Sequence, residues 1–77
     1  MNDGSNTLDP SVPAWLARFA AAIGTAAPST DEIETLLSLA GAAARGSARQ
    51  AAPVACWLAA RAGVDPVAAL EAARALD

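Results

Sequence analysis

Apolar positions recur along this chain at helical spacing. Val12, Trp15, Leu16, Phe19 and Ile23 fall at i, i+3, i+4, i+7 and i+11, one stripe of an amphipathic helix. That helix is expected to start at residue 11 or 12, with Ser11 able to cap it and Pro13 in the first turn, where a missing N–H costs nothing. Gly24 is the expected left-handed terminator, and Pro28 delays a restart. A second stripe, Ile33, Leu36, Leu37 and Ala40 with Leu39 widening it, follows a Ser29-x-x-Glu32 capping box. Asp31, Glu32 and Glu34 there suit the positive end of the helix dipole. Arg45 suits the other end, and Gly46 is the expected stop. Val54, Trp57, Leu58 and Arg61 or Ala62 make the face of a third helix that ends at Gly63. Asp65-Pro66 opens a fourth, marked by Val67, Leu70, Ala73 and Leu76.

The start of the third helix is the least determined point. Ser47-x-x-Gln50 has capping-box spacing, but Pro53 sits too deep for a helix that begins at residue 48, because proline lacks the N–H and crowds the carbonyl four residues back. A break is favoured over one kinked helix, with a start between residues 50 and 53. The expected fold is therefore all-α, a compact bundle of four short helices. Residues 1–10, polar and aperiodic, are read as a disordered tail, and residues 11–77 as a single helical domain.

Composition narrows the function classes. Much of the 55% hydrophobic content of these 77 residues is alanine, so the large apolar set is short and the core marginal at this length. Trp15 and Trp57 are assigned to that core because each lies on its helix's apolar stripe. Net charge is −3, which disfavours a nucleic-acid partner. The N-terminus has neither the basic nor the apolar region of a signal peptide. No uncharged run is long enough to span a membrane, and Cys56 has no second cysteine to bridge. A cytoplasmic protein is expected.

Catalytic chemistry has little to work with. The chain has no His, Lys or Tyr, which removes the usual proton-transfer and Schiff-base groups. The cluster Asp31, Glu32 and Glu34 is explained by helix capping, and Cys56 by a buried inert thiol. No metal-ligand spacing is present, so no catalytic residue, cofactor-binding residue or metal ligand is assigned. An acyl carrier would need a serine preceded by Asp, whereas Gly46 precedes Ser47.

Residues 39–53, LAGAAARGSARQAAP, stand apart. Between Leu39 and Val54 there is no large apolar side chain, and the long side chains are Arg45, Arg49 and Gln50. Such a run points to close backbone approach or to a partner. Arg45 and Arg49 would share a face on a continuous helix. They read either as solvated charges near a helix end or as guanidinium forks aimed at a partner's carboxylates or a phosphate. The candidate partner-binding residues are Arg45, Gly46, Arg49, Gln50 and Pro53.

This stretch resembles a family of small helical domains of unknown function from high-GC bacteria. They are fused to, or encoded beside, the molybdenum cofactor guanylyltransferase, and are found beside molybdenum-dependent formate dehydrogenases. Leu39, Ala40, Ala44, Gly46, Ala48, Arg49, Ala51, Ala52 and Pro53 match its hallmark, and Trp15-Leu16 matches its first helix. Gly41 and Ala42 stand in place of an Arg–acid pair, Arg45 in place of His, and Gln50 in place of Pro. The likeness covers residues 12–62. It implies a small non-catalytic accessory subunit that stabilises the large catalytic subunit of a molybdoenzyme, first of all a formate dehydrogenase. The implied partner, not this chain, carries the molybdenum guanine dinucleotide cofactor. The second implied role is a partner module of the guanylyltransferase.

Overall fold

The computed structural model describes residues 8–76. Four helices follow in order: α1 (Ser11–Ile23), α2 (Thr30–Gly46), α3 (Ala51–Ala62) and α4 (Pro66–Ala75). The all-α class holds, and no strand occurs among the described residues. The expected disordered tail falls mainly on residues 1–7, outside the described residues. The chain divides into two units, Met1–Glu34 and Thr35–Asp77, with the boundary inside α2.

In the first unit, local chemistry sets the helix ends. The expected Ser11 cap does not form, and Pro10 before α1 carries no side-chain cap. Asp9, one residue further out, instead accepts at Oδ1 from the Ser11 backbone N–H at 2.8 Å and from the Ser11 hydroxyl at 2.7 Å. A carboxylate at this position is also favoured by the positive end of the helix dipole. These two hydrogen bonds hold the Asp9 carboxyl below its ordinary pKa. The far end closes as expected on Gly24 at φ +80°. Thr25 N–H reaches the Ala20 carbonyl at 2.9 Å and Gly24 N–H the Ala21 carbonyl at 3.2 Å, a Schellman closure. The capping box that opens α2 is reciprocal: Ser29 N–H donates to Glu32 Oε1 at 2.8 Å, and Glu32 N–H donates to Ser29 Oγ at 3.1 Å.

The first helix does not turn its predicted stripe inward. Val12 and Leu16 are half-buried and Ala20 is buried, while Trp15, Phe19 and Ile23 are exposed. Its inward arc is rotated toward Pro13 and Ala20. Trp15 is 55% exposed, which overturns its assignment to the core. Ile33 is buried in this unit.

In the second unit, α2 buries Leu39 and Ala42, and Leu39 is the most buried residue of its stripe at 3% exposure. Leu37, placed on that stripe, is exposed. The helix ends at Gly46 as expected, but Gly46 is not left-handed; it is the last right-handed residue. The break before Pro53 is real. Ala51 and Ala52 N–H groups donate to the Ala48 and Arg49 carbonyls at 2.9 and 3.1 Å, and α3 starts at Ala51 with Pro53 third in the helix. No side-chain cap forms at Gln50. Gly63 at φ +73° repeats the Schellman closure, with Val64 N–H on the Ala59 carbonyl at 3.0 Å. Asp65 caps α4 by accepting from Val67 N–H at 2.9 Å, with Pro66 in the first turn.

The packing of α3 is inverted relative to its size pattern. Ala52, Ala55, Cys56 and Ala59 are half-buried, and Cys56 Sγ lies 3.8 Å from the Leu36 carbonyl oxygen of α2. Val54, Trp57 and Leu58 on the opposite side are exposed. Small side chains on both helices permit close approach of the axes. This is the physical use of the alanine-rich stretch: Ala42 of α2 is buried, and Ala43 and Ala44 are half-buried. In α4, Ala69 is buried and Pro66, Leu70 and Ala73 are half-buried, whereas Val67 and Leu76 are exposed.

Candidate functional site

All five candidate partner-binding residues are exposed. Arg45 and Gly46 occupy the last turn of α2, Arg49 and Gln50 the turn that follows, and Pro53 the first turn of α3. Because α2 ends at Gly46, Arg45 and Arg49 are not on one helix, and the shared i, i+4 face does not form. Arg45 instead folds back along its own helix. A β-carbon built on Gly41 would lie 3.1 Å from an Arg45 guanidinium nitrogen, so the bare glycine leaves room for that group.

The carboxylates Asp31, Glu32 and Glu34 are exposed in the first turns of α2. Glu32 is engaged in the capping box, the role expected of it. Among the described residues, no group of three or more His, Cys, Asp or Glu could hold a metal ion. Cys56 is half-buried, and burial pushes its thiol above the ordinary pKa. Ser47 lies in the turn after α2, before the start of α3.

Two arrangements escaped the sequence reading. On α1 the rings of Trp15 and Phe19 stack with centroids 5.2 Å apart and planes 14° from parallel. Both rings are about half exposed. On α3 the Arg61 guanidinium carbon sits 4.5 Å from the Trp57 ring centroid, a cation–π contact on the exposed face. The i, i+4 spacing of Trp15–Phe19 and Trp57–Arg61 is the signal that could have found them.

Chemically, these surfaces are suited to binding. Three large side chains at helical spacing stand out on α1 and three on α3. Exposed apolar clusters of this kind mark interaction sites more often than single exposed residues do. The aromatic members supply contact area at little entropic cost, and aromatic residues and Arg are enriched where binding energy concentrates. A shallow open groove beside Trp15, lined by Val12, Leu16 and Arg18, runs along α1.

No helix among the described residues is long and apolar enough to cross a membrane. Comparison with curated proteins and with solved structures returned no match. A family model of a domain of unknown function matches residues 8–76, a span that takes in all four helices and both exposed apolar faces. On that match the chain belongs to the DUF6457 family.

Proposed function

We propose that this domain is a non-catalytic binding module, a small accessory subunit in the cytoplasm that docks on and stabilises a larger protein. The observation that carries the reading is the inverted placement of side chains. Trp15, Phe19, Ile23, Val54, Trp57 and Leu58 are each 45–61% exposed, while alanines and a cysteine face inward on α3. A chain with so few large apolar side chains gains by burying them within itself, at roughly 1.5–3 kcal/mol each. Leaving them outside is consistent with a surface shaped for a partner. The lack of His, Lys and Tyr supports a role without chemistry of its own.

The partner is proposed from the resemblance at residues 39–53: the large catalytic subunit of a molybdenum-dependent enzyme, first of all a formate dehydrogenase. The molybdenum guanine dinucleotide cofactor belongs to that partner. The same resemblance supports a second reading, a module that assists the guanylyltransferase in cofactor maturation. An affinity pull-down from the native cytosol, read by mass spectrometry, separates them. A molybdenum enzyme in fixed ratio is the expected result. The transferase alone would move the assignment to maturation, and recovery of neither would sink both.

A further inference from the structure

We propose that the outward face of α3, made by Val54, Trp57, Leu58 and Arg61, is a docking surface for an amphipathic partner helix whose apolar stripe is edged with carboxylates. The inference deepens the accessory-subunit reading and rests on it for the existence of a protein partner.

The face is defined by geometry. Its four residues fall at i, i+3, i+4 and i+7, within about 100° of arc and about 10 Å of helix length, the footprint of roughly two helical turns. Val54, Trp57 and Leu58 are 54%, 57% and 45% exposed. The inward side of the helix is already occupied by Ala52, Ala55, Cys56 and Ala59, so α3 does not need to rotate to complete its packing. Apolar anchors at this spacing match the anchor pattern of a helix laid against them.

Charge selects the partner. Between Glu34 and Asp65 the chain carries Arg45, Arg49 and Arg61 and no carboxylate. All three arginines are exposed. Arg61 lies over the indole of Trp57, so a fixed positive charge stands on the apolar face itself. Contact with the ring covers one face of a guanidinium, and its N–H donors lie in the plane, so a partner carboxylate can still accept two of them. Arg61 therefore gives this apolar face a positive charge, the complement of a Leu- or Ile-striped helix with Glu or Asp beside the stripe.

Other occupants fit less well. In a two-fold pairing of α3 with α3 of a second copy, neither helix brings a carboxylate to Arg61, so its charge would go unpaired. An anionic membrane surface would meet a chain whose net charge is −3, which repels it.

The test uses the full chain and two synthetic helical peptides of about 18 residues. Both share one Leu/Ile stripe; one is edged with Glu and the other with Lys at the same positions. Calorimetric titration is expected to show the Glu-edged peptide binding at least about tenfold more tightly, with an advantage that shrinks as salt rises. Leu58→Asp should abolish binding with unchanged far-ultraviolet dichroism, Arg61→Glu should reverse the preference, and Phe19→Asp on α1 should leave it intact. Equal binding of the two peptides, binding of neither, or indifference to Leu58→Asp would overturn the proposal. So would a dimer in sedimentation that Leu58→Asp dissolves, or adsorption to vesicles of mixed zwitterionic and anionic phospholipid that the same substitution removes. The two readings fail separately. A molybdenum enzyme recovered equally by wild type and Leu58→Asp leaves the subunit role standing and removes this surface. Selective peptide binding without a molybdenum enzyme in the pull-down does the reverse.

Discussion

At the scale of single residues, the ends of the helices are where chemistry is most local and prediction most direct. Asp65 accepts one of the orphan N–H groups of α4, so Asp65→Ala should cost about 1 kcal/mol in urea unfolding. Gly41 behaves differently from Gly24 and Gly63. It sits inside a right-handed helix, and what a methyl there would meet is the tip of the flexible Arg45 side chain. Gly41→Ala should raise stability by roughly 0.5–1 kcal/mol through helix propensity, with Arg45 moving aside. The same change at Gly63 should lower stability by about 1 kcal/mol, because its φ is positive and a β-carbon is strained there. Asp9 titrates below its ordinary 3.8 because Ser11 donates two hydrogen bonds to the ionised form. A depressed folded-state pKa contributes stability that is present above 3.8 and lost as pH falls through the lower folded value. An NMR titration should therefore place Asp9 below 3.8, and Ser11→Ala should bring it back up.

At the scale of elements, α1 and α3 share one feature: the largest side chains are not the ones that hold the helix in place. Leu39 at 3% exposure and Trp57 at 57% give the contrast a number. Leu39→Ala should cost about 2–5 kcal/mol, the range for emptying a core site. Trp57→Ser, although it removes far more volume, should change stability by less than about 1 kcal/mol, as exposed positions do. Chemical unfolding of the two variants checks both. If Trp57→Ser proves as damaging as Leu39→Ala, α3 is packed by its large face and the binding surface assigned to it does not exist. Cys56 offers a second view of the same helix. Its thiol is half-buried with a raised pKa, so alkylation at neutral pH should be slower in the native protein than in urea.

At the scale of the whole molecule, charge is divided unevenly along the chain. Residues 1–34 carry one Arg against five carboxylates, and residues 35–77 carry four Arg against three. The acidic balance of the whole chain thus conceals a long stretch, from Thr35 to Val64, in which every charged side chain is cationic. A domain this short buries a smaller share of its surface than a large one and is marginally stable, so a ligand that binds the folded form alone should raise its stability visibly. At about a hundredfold excess over Kd the Glu-edged peptide should add about 2.7 kcal/mol, read as a higher thermal midpoint. Leu58→Asp should cancel that rise.

What the sequence determined by itself is the local part. Apolar recurrence at 3.6-residue spacing marked four helices. Ser29-x-x-Glu32, Asp65-Pro66, Gly24 and Gly63 marked their ends, because a cap or a left-handed glycine satisfies backbone groups within a few residues of itself. Pro53 marked the break between α2 and α3 because it lacks an N–H and crowds the carbonyl four residues back, an effect equally local. The inward faces were a tertiary decision. Periodicity shows which residues share a stripe, but a helix packs on whichever arc lets its neighbour approach. On α3 the alanines and Cys56 gave the closer approach to α2, and the stripe with Trp57 was left outside. The candidate site divided along the same line. The exposure of Arg45, Gly46, Arg49, Gln50 and Pro53 followed from a polar, small-residue stretch at two helix ends. The placement of Arg61 over an outward-facing indole depended on which way α3 is rotated, and tertiary packing set that rotation.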